Sequence, residues 1–208
     1  MEITAEKIMQ QLSAGTQVAG VIAVFGEEGY YKDKIAAALP RAVFGDAALE
    51  DREITVFERD TDIKEVSAAV NTYPFFSGRS LVIIKDEKLW GGKDGGEKRK
   101  QQQEELAELL ADVPEHCQVL LLGEKIDKRG KLYKSLLKTA AMVECKSLKS
   151  YQLKPWLDEQ AALRGCRFDY EASQTIMEYL SVTDNAPLLL LEQEIEKLSV
   201  YAGERKIW

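Results

Sequence analysis

Residues 18 to 25, Val-Ala-Gly-Val-Ile-Ala-Val-Phe, run without a charge or a strongly polar side chain, and they limit the fold more than any other stretch. A strand with one face in water alternates apolar and polar residues. A continuous run of small and β-branched residues is expected of a central parallel strand covered on both faces. Gly26-Glu27-Glu28-Gly29 follows as a turn, and then a helical segment from Tyr30 to Leu39 that Pro40 is expected to halt. Strand, glycine turn and helix in that order open a parallel sheet, because parallel neighbours need a crossover connection.

The same alternation recurs along the chain. Strands are predicted at Ile54 to Phe57, Leu81 to Ile84, Cys117 to Leu122 and Ala141 to Cys145. Helices are predicted between them: one capped by Asp60 and running to Thr72 with Ile63, Val66 and Val70 inward, a charged one from Glu97 to Leu110, and one from Lys128 to Thr139. An opening helix capped by Thr4 reaches about Leu12, with Ile8 and Leu12 inward, and Gly15 ends it. Gly91-Gly92-Lys93-Asp94-Gly95-Gly96 reads as a mobile loop within the domain, since the alternation resumes after it. Five strands alternating with helices make an α/β domain with a mainly parallel five-stranded sheet over residues 1 to 146.

After Lys146 the strands stop. Helices are predicted at Leu153 to Arg164, Tyr170 to Leu180 and Ala186 to Tyr201, and Leu188, Leu191, Ile195 and Leu198 of the last repeat at spacings of three and four. Residues 147 to 208 therefore form a small three-helix lid domain.

The chain has 208 residues, 45% hydrophobic and 30% charged, with a formal net charge of -7, which argues against a surface that grips nucleic acid all over. Three cysteines, Cys117, Cys145 and Cys166, show neither a zinc spacing nor a disulfide framework, as expected of a reducing cytoplasm. The N-terminus lacks a basic region followed by an apolar run, and no apolar stretch approaches a membrane span, so the chain is expected to be neither secreted nor inserted.

Tyr73-Pro74-Phe75-Phe76-Ser77-Gly78-Arg79 breaks the pattern. Pro74 ends the helix before it, and Gly78 turns the backbone into the next strand. Two adjacent phenylalanines at a helix end cannot both follow the core stripe. Either the rings close the core beneath the helix, or they protrude as an apolar wedge for a pocket on another protein.

Catalytic patterns fail on inspection. A working phosphate loop carries Gly-Lys and then Ser or Thr; here Lys32 falls at the lysine position, but Tyr31 replaces the glycine, Asp33 replaces the hydroxyl residue, and Glu27 and Glu28 repel phosphate. No ATP binding is expected, and no cofactor. Asp86 and Glu87 after an apolar strand resemble a magnesium-binding pair, yet without a phosphate loop they read as a solvated strand end. The single histidine, His116, has no partner in sequence for metal ligation or a proton relay. Lys125, Lys128, Arg129, Lys131, Lys134 and Lys138 make one locally basic stretch, a solvated helix face or a contact for the DNA backbone or an acidic partner.

Four motifs carry a family resemblance: Val24-Phe25-Gly26-Glu27-Glu28; Pro74 to Val82; Lys125-Ile126-Asp127-Lys128-Arg129 with Lys131-Leu132-Tyr133-Lys134; and Glu192 to Leu198 with Tyr201. Their order resembles the delta subunits of bacterial DNA polymerase III, clamp-loader proteins with an AAA+-like plan. The resemblance implies a subunit without ATP hydrolysis that binds the ring-shaped sliding clamp and helps open it. Matched by position, the clamp-binding residues are Phe75 and Phe76 with Tyr73 and Pro74; Asn71 stands where the common clamp-binding pattern begins with Gln. It further implies companion loader subunits (gamma/tau and delta prime), primed DNA within the complex and no membrane partner; Lys128, Arg129, Lys131 and Lys134 of the basic stretch are the candidate contacts for DNA or a partner. Family members continue into a helical collar domain, which is expected to be absent here because the sequence reaches only Trp208. The rival readings are an AAA+ ATPase using Lys32, Asp86 and Glu87, and a local DNA-binding module.

Overall fold

A computed structural model of the chain describes residues 1–16, 18–90, 96–181 and 188–208. Two units are distinguished, one of Met1–Glu27 with Tyr31–Cys145 and one of Glu28–Tyr30 with Lys146–Trp208.

The first unit is a five-stranded sheet with flanking helices. Its strands are β1 (Val21–Phe25), β2 (Glu53–Phe57), β3 (Ser80–Ile84), β4 (Cys117–Gly123) and β5 (Ala141–Glu144). They lie in the order β2-β3-β4-β1-β5, and every pairing is parallel. Every residue of β1 and β3 is buried, as the apolar runs over residues 21–25 and 81–84 require. β2 is an edge strand and most of it is exposed.

The helices are α1 (Ala5–Ser13), α2 (Gly29–Phe44), α3 (Ile63–Asn71), α4 (Glu87–Trp90), α5 (Glu97–Ala111) and α6 (Lys131–Thr139). Val21, Ala23 and Phe25 of β1, with Val82, Ile84, Val119 and Leu121, form one apolar cluster with α3, α4, α5 and α6. Strand alternation turns Ile22, Val24, Leu81, Ile83 and Leu120 to the other face, and all are buried there. Ile8 and Leu12 of α1 and Ile35 and Leu39 of α2, which lie outside the first cluster, are buried as well. Thr4 caps α1 as expected, its hydroxyl accepting from the Lys7 amide at 3.3 Å.

Three local expectations are corrected. Pro40 does not halt α2, which continues to Phe44 before Gly45 at φ +58 closes it. Leu39 and Phe44 are both buried, and their burial outweighs the one hydrogen bond that proline removes. The cap of α3 is Asp62, not Asp60: Asp62 accepts from the Lys64 amide at 2.9 Å, whereas Asp60 takes φ +48 and pairs with Lys88. Helix α6 starts at Lys131, leaving Lys128 and Arg129 in the preceding loop. The loop expected at Gly91 to Gly95 and the start of the last helix at Ala186 lie outside the described residues.

The second unit holds α7 (Ser150–Leu163), α8 (Tyr170–Ser181) and α9 (Leu188–Ala202). Leu153, Trp156, Leu157 and Ala161 of α7 and Leu188, Leu191 and Ile195 of α9 are buried, while Leu198 leaves the stripe half-exposed. The end of the chain pairs back on the α7–α8 connection, with the Trp208 amide donating to Arg167 O at 2.9 Å and the Trp208 ring edge-on to Phe168. Among the described residues no helix is long and apolar enough to cross a membrane.

Candidate functional site

Glu53, Ser80 and Cys117 open β2, β3 and β4 and lie side by side in register. They form a rim at the end of the parallel sheet where the strands begin. The aromatic turn, residues 72 to 79, joins α3 to Ser80 and so sits on this rim, at the opposite end of the sheet from the Gly26 turn that follows β1.

Each side of the turn is anchored. The Thr72 amide and hydroxyl both donate to Ala68 O, finishing α3. Pro74, between the exposed Tyr73 and Phe75, is itself buried. The Phe75 amide donates to both carboxylate oxygens of Glu53 at 3.0 Å. The Ser77 hydroxyl donates to Arg79 O at 2.8 Å, and Gly78 adopts φ +66, a conformation that strains any residue with a Cβ. Tyr73 lies against the His116 ring, centroids 5.1 Å apart, and His116 O accepts from the Ser80 amide at 2.8 Å.

On this mount the rings project outward. Phe75 is 85% exposed, Phe76 73% and Tyr73 69%. Of the two placements the sequence left open, the protruding one is therefore observed. No local feature of the sequence marks Glu53 or His116 as a support of the turn; only strand register brings them beside it.

At the other end of the sheet the phosphate-loop position is filled by the protein itself. Gly26 takes φ +131, and a Cβ there would lie 2.0 Å from Cys145 O, so this glycine serves close packing onto the end of β5. Lys32 Nζ donates to Gly26 O at 2.8 Å. Glu28 is buried and its carboxylate accepts from the Tyr30 amide at 2.9 Å, taking a helix N-terminal donor that a phosphate would need. Tyr30 itself packs edge-on to Trp156 and donates to Glu192 Oε1 at 3.3 Å; burial first, and then the Glu192 charge, push its hydroxyl up to about 12.

Asp86 is also structural. It is buried, with one oxygen accepting from the Thr61 amide and the other from the Lys88 amide, both at 2.9 Å. Glu87 accepts from the Glu124 amide. The carboxylate pair expected of a solvated strand end thus ties loops together. In the basic stretch, Lys128 pairs with Glu144 at 2.8 Å and Lys131 with Glu104 at 2.6 Å, whereas Arg129 and Lys134 are exposed. The structure does not assemble the four into one free cationic face. Among the described residues no group of three or more His, Cys, Asp or Glu could hold a metal ion.

Comparison with known proteins meets this geometry. The family model for the DNA polymerase III delta subunit matches residues 25–146, more than half of the chain. The chain belongs to that family. A curated relative, DNA polymerase III subunit delta of Bacillus subtilis (strain 168), is 28% identical over 193 residues, covering 91% of this chain and 54% of the relative. A solved structure, the Bacillus subtilis DNA clamp loader delta protein, superposes with a TM-score of 0.75 at 25% identity over 98% of this chain and 59% of its own. The chain therefore spans little more than half the length of the relatives it matches. The chain shares with the Bacillus subtilis clamp loader delta protein an α/β sheet followed by C-terminal helices.

Proposed function

We propose that the protein is a non-catalytic clamp-loader subunit that inserts Phe75 and Phe76 into an apolar pocket of the ring-shaped sliding clamp and helps open the ring during DNA replication. The observation that carries this reading is the exposure of two adjacent phenylalanines on an anchored turn. Water-exposed rings held in this way form a ready anchor: burying each stabilises a complex by on the order of 1.5–3 kcal/mol, and two such neighbours make a hot spot. Tyr73 flanks them, with Pro74 beneath as support.

The absence of catalysis is supported by the phosphate-loop position, where Lys32 and Glu28 engage the protein's own backbone. The family relation supports the companions: gamma/tau and delta prime subunits, with primed DNA in the assembled loader, in the bacterial cytoplasm. An independent DNA-binding role is less favoured, because Lys128 and Lys131 are paired with Glu144 and Glu104.

The test is the affinity of the chain for the purified sliding clamp of its own organism. Phe75→Ala with Phe76→Ala is expected to weaken binding by about a hundredfold or more with the fold intact by circular dichroism. An unchanged dissociation constant in the double variant removes the reading.

A further inference from the structure

We propose that Glu53 is a positioning residue of the aromatic turn: its carboxylate holds the Phe75 amide so that the two rings are already presented when a partner arrives. The inference rests on the reading of Phe75 and Phe76 as the binding wedge and adds how the wedge is kept ready.

The geometry points to a device of presentation. Both oxygens of Glu53 lie 3.0 Å from the one Phe75 amide nitrogen, so the carboxylate faces the N–H squarely. Among the described residues this carboxylate bonds nothing else. An ionised acceptor makes the stronger kind of hydrogen bond. The donor, moreover, is a loop amide that water would satisfy equally well, so the bond is not required to avoid an orphaned buried group. What it fixes is the direction in which the chain leaves Pro74.

Pro74 has a constrained φ and a buried ring, so the atom that follows it is held on one side by the proline and on the other by Glu53. Glu53 is itself fixed, because it opens β2 and pairs in register with Ser80, the residue into which the turn feeds. Carboxylate, amide and exit strand thus make a closed frame. Free of that frame, two adjacent phenylalanines on a loop would gain by folding onto any nearby apolar surface. Chains with collapsed rings would have to reopen before binding, and the apparent affinity would fall by the fraction collapsed.

The effect should appear in association and not in dissociation, since the bound wedge is held by the partner's pocket. The experiment compares the wild-type chain with Glu53→Gln, Glu53→Ala and the control Glu58→Gln, which removes a negative charge just beyond the other end of β2, where Glu58 pairs with Lys85. Surface plasmon resonance on immobilised sliding clamp gives both rate constants, and NMR hydrogen exchange reports the Phe75 amide. Glu53→Ala is expected to slow association roughly three- to tenfold with dissociation within about twofold. Glu53→Gln, keeping one acceptor, should fall between, and Phe75 amide exchange should quicken in the same order. Glu58→Gln should behave as wild type.

Wild-type association rates and wild-type Phe75 exchange in both Glu53 variants would overturn the proposal. So would an effect confined to dissociation, which would make Glu53 a contact, or an equal slowing in Glu58→Gln, which would make the effect one of net charge. If Phe75→Ala with Phe76→Ala binds normally, the wedge reading itself fails; if that variant loses binding while Glu53→Ala associates normally, only this inference fails. Should Glu53→Ala melt early, Glu53→Gln and the exchange measurement still decide the matter.

Discussion

Lys32 Nζ donates to the carbonyl of Gly26 at 2.8 Å, so the lysine that counting assigns to phosphate binding is spent on the backbone of its own turn. In a working phosphate loop that lysine must reach outward to the terminal phosphates. Magnesium-ATP is accordingly expected to give no binding heat in calorimetric titration up to millimolar nucleotide. Lys32→Met should destabilise the fold by about 0.5–1.5 kcal/mol in urea denaturation, the cost of one hydrogen bond. Micromolar ATP binding lost in Lys32→Met would reverse the assignment and restore the ATPase reading.

Gly26 is the companion case. Its φ is +131, and any Cβ at this position would fall 2.0 Å from Cys145 O, so even alanine must displace the backbone after β5. The Cys145 amide also donates to Phe25 O at 2.7 Å, so that displacement breaks a bond of the sheet. Gly26→Ala is expected to cost more than about 3 kcal/mol, read as a lower urea midpoint or as insoluble expression. Gly29→Ala, where a Cβ meets nothing within 4 Å, should be far milder.

What the sequence made legible follows the physics of each element. Residues 21–25 of β1, 81–84 of β3 and 119–122 of β4 are unbroken apolar runs because both faces of a central parallel strand are covered, and such runs can be read directly. Ile63, Val66 and Val70 fall on one face of α3 for the same kind of local reason. Pro40 misled because its cost is local, while the burial of Leu39 and Phe44 that offsets it is tertiary. Asp60 and Asp62 are equally good caps on paper; the choice is settled by Asp86, which takes the Thr61 amide from 25 residues away. The aromatic turn was marked by Pro74 and Gly78, but the direction of its rings depends on Glu53, 22 residues earlier, and on His116 from the start of another strand. No local pattern encodes that register.

Tyr30 gives the helical unit a dependence on alkaline pH. Its hydroxyl is raised from 10.0 to about 12, first by burial and then by Glu192, so the fold favours the neutral form. A group whose pKa is raised on folding contributes stability that is complete below the unfolded pKa and is lost as pH climbs through the folded one. The contribution, roughly 2–3 kcal/mol for a shift of this size, should be present at pH 9 and fade between about 10 and 12. Tyr30→Phe cannot ionise, so the difference in unfolding free energy between wild type and variant should change across that window. A difference independent of pH from 8 to 12 would show that Tyr30 ionises as readily in the folded chain as in the unfolded one.

The final prediction separates the wedge from the core. A buried phenylalanine replaced by alanine typically costs about 3–5 kcal/mol, because apolar contacts are lost and a cavity remains. Phe75 and Phe76 are 85% and 73% exposed, so their removal leaves no cavity and little contact to lose. Phe75→Ala with Phe76→Ala should shift the unfolding free energy by no more than about 0.5 kcal/mol, with stabilisation as acceptable a sign as destabilisation. Phe25→Ala is the matched comparison: that ring is 4% exposed, stacks edge-on to Tyr133 and belongs to the main cluster, and its loss should cost several times as much. Should the double variant unfold as readily as Phe25→Ala, the two rings would be part of this molecule's own core, and their exposure would have no partner to explain it.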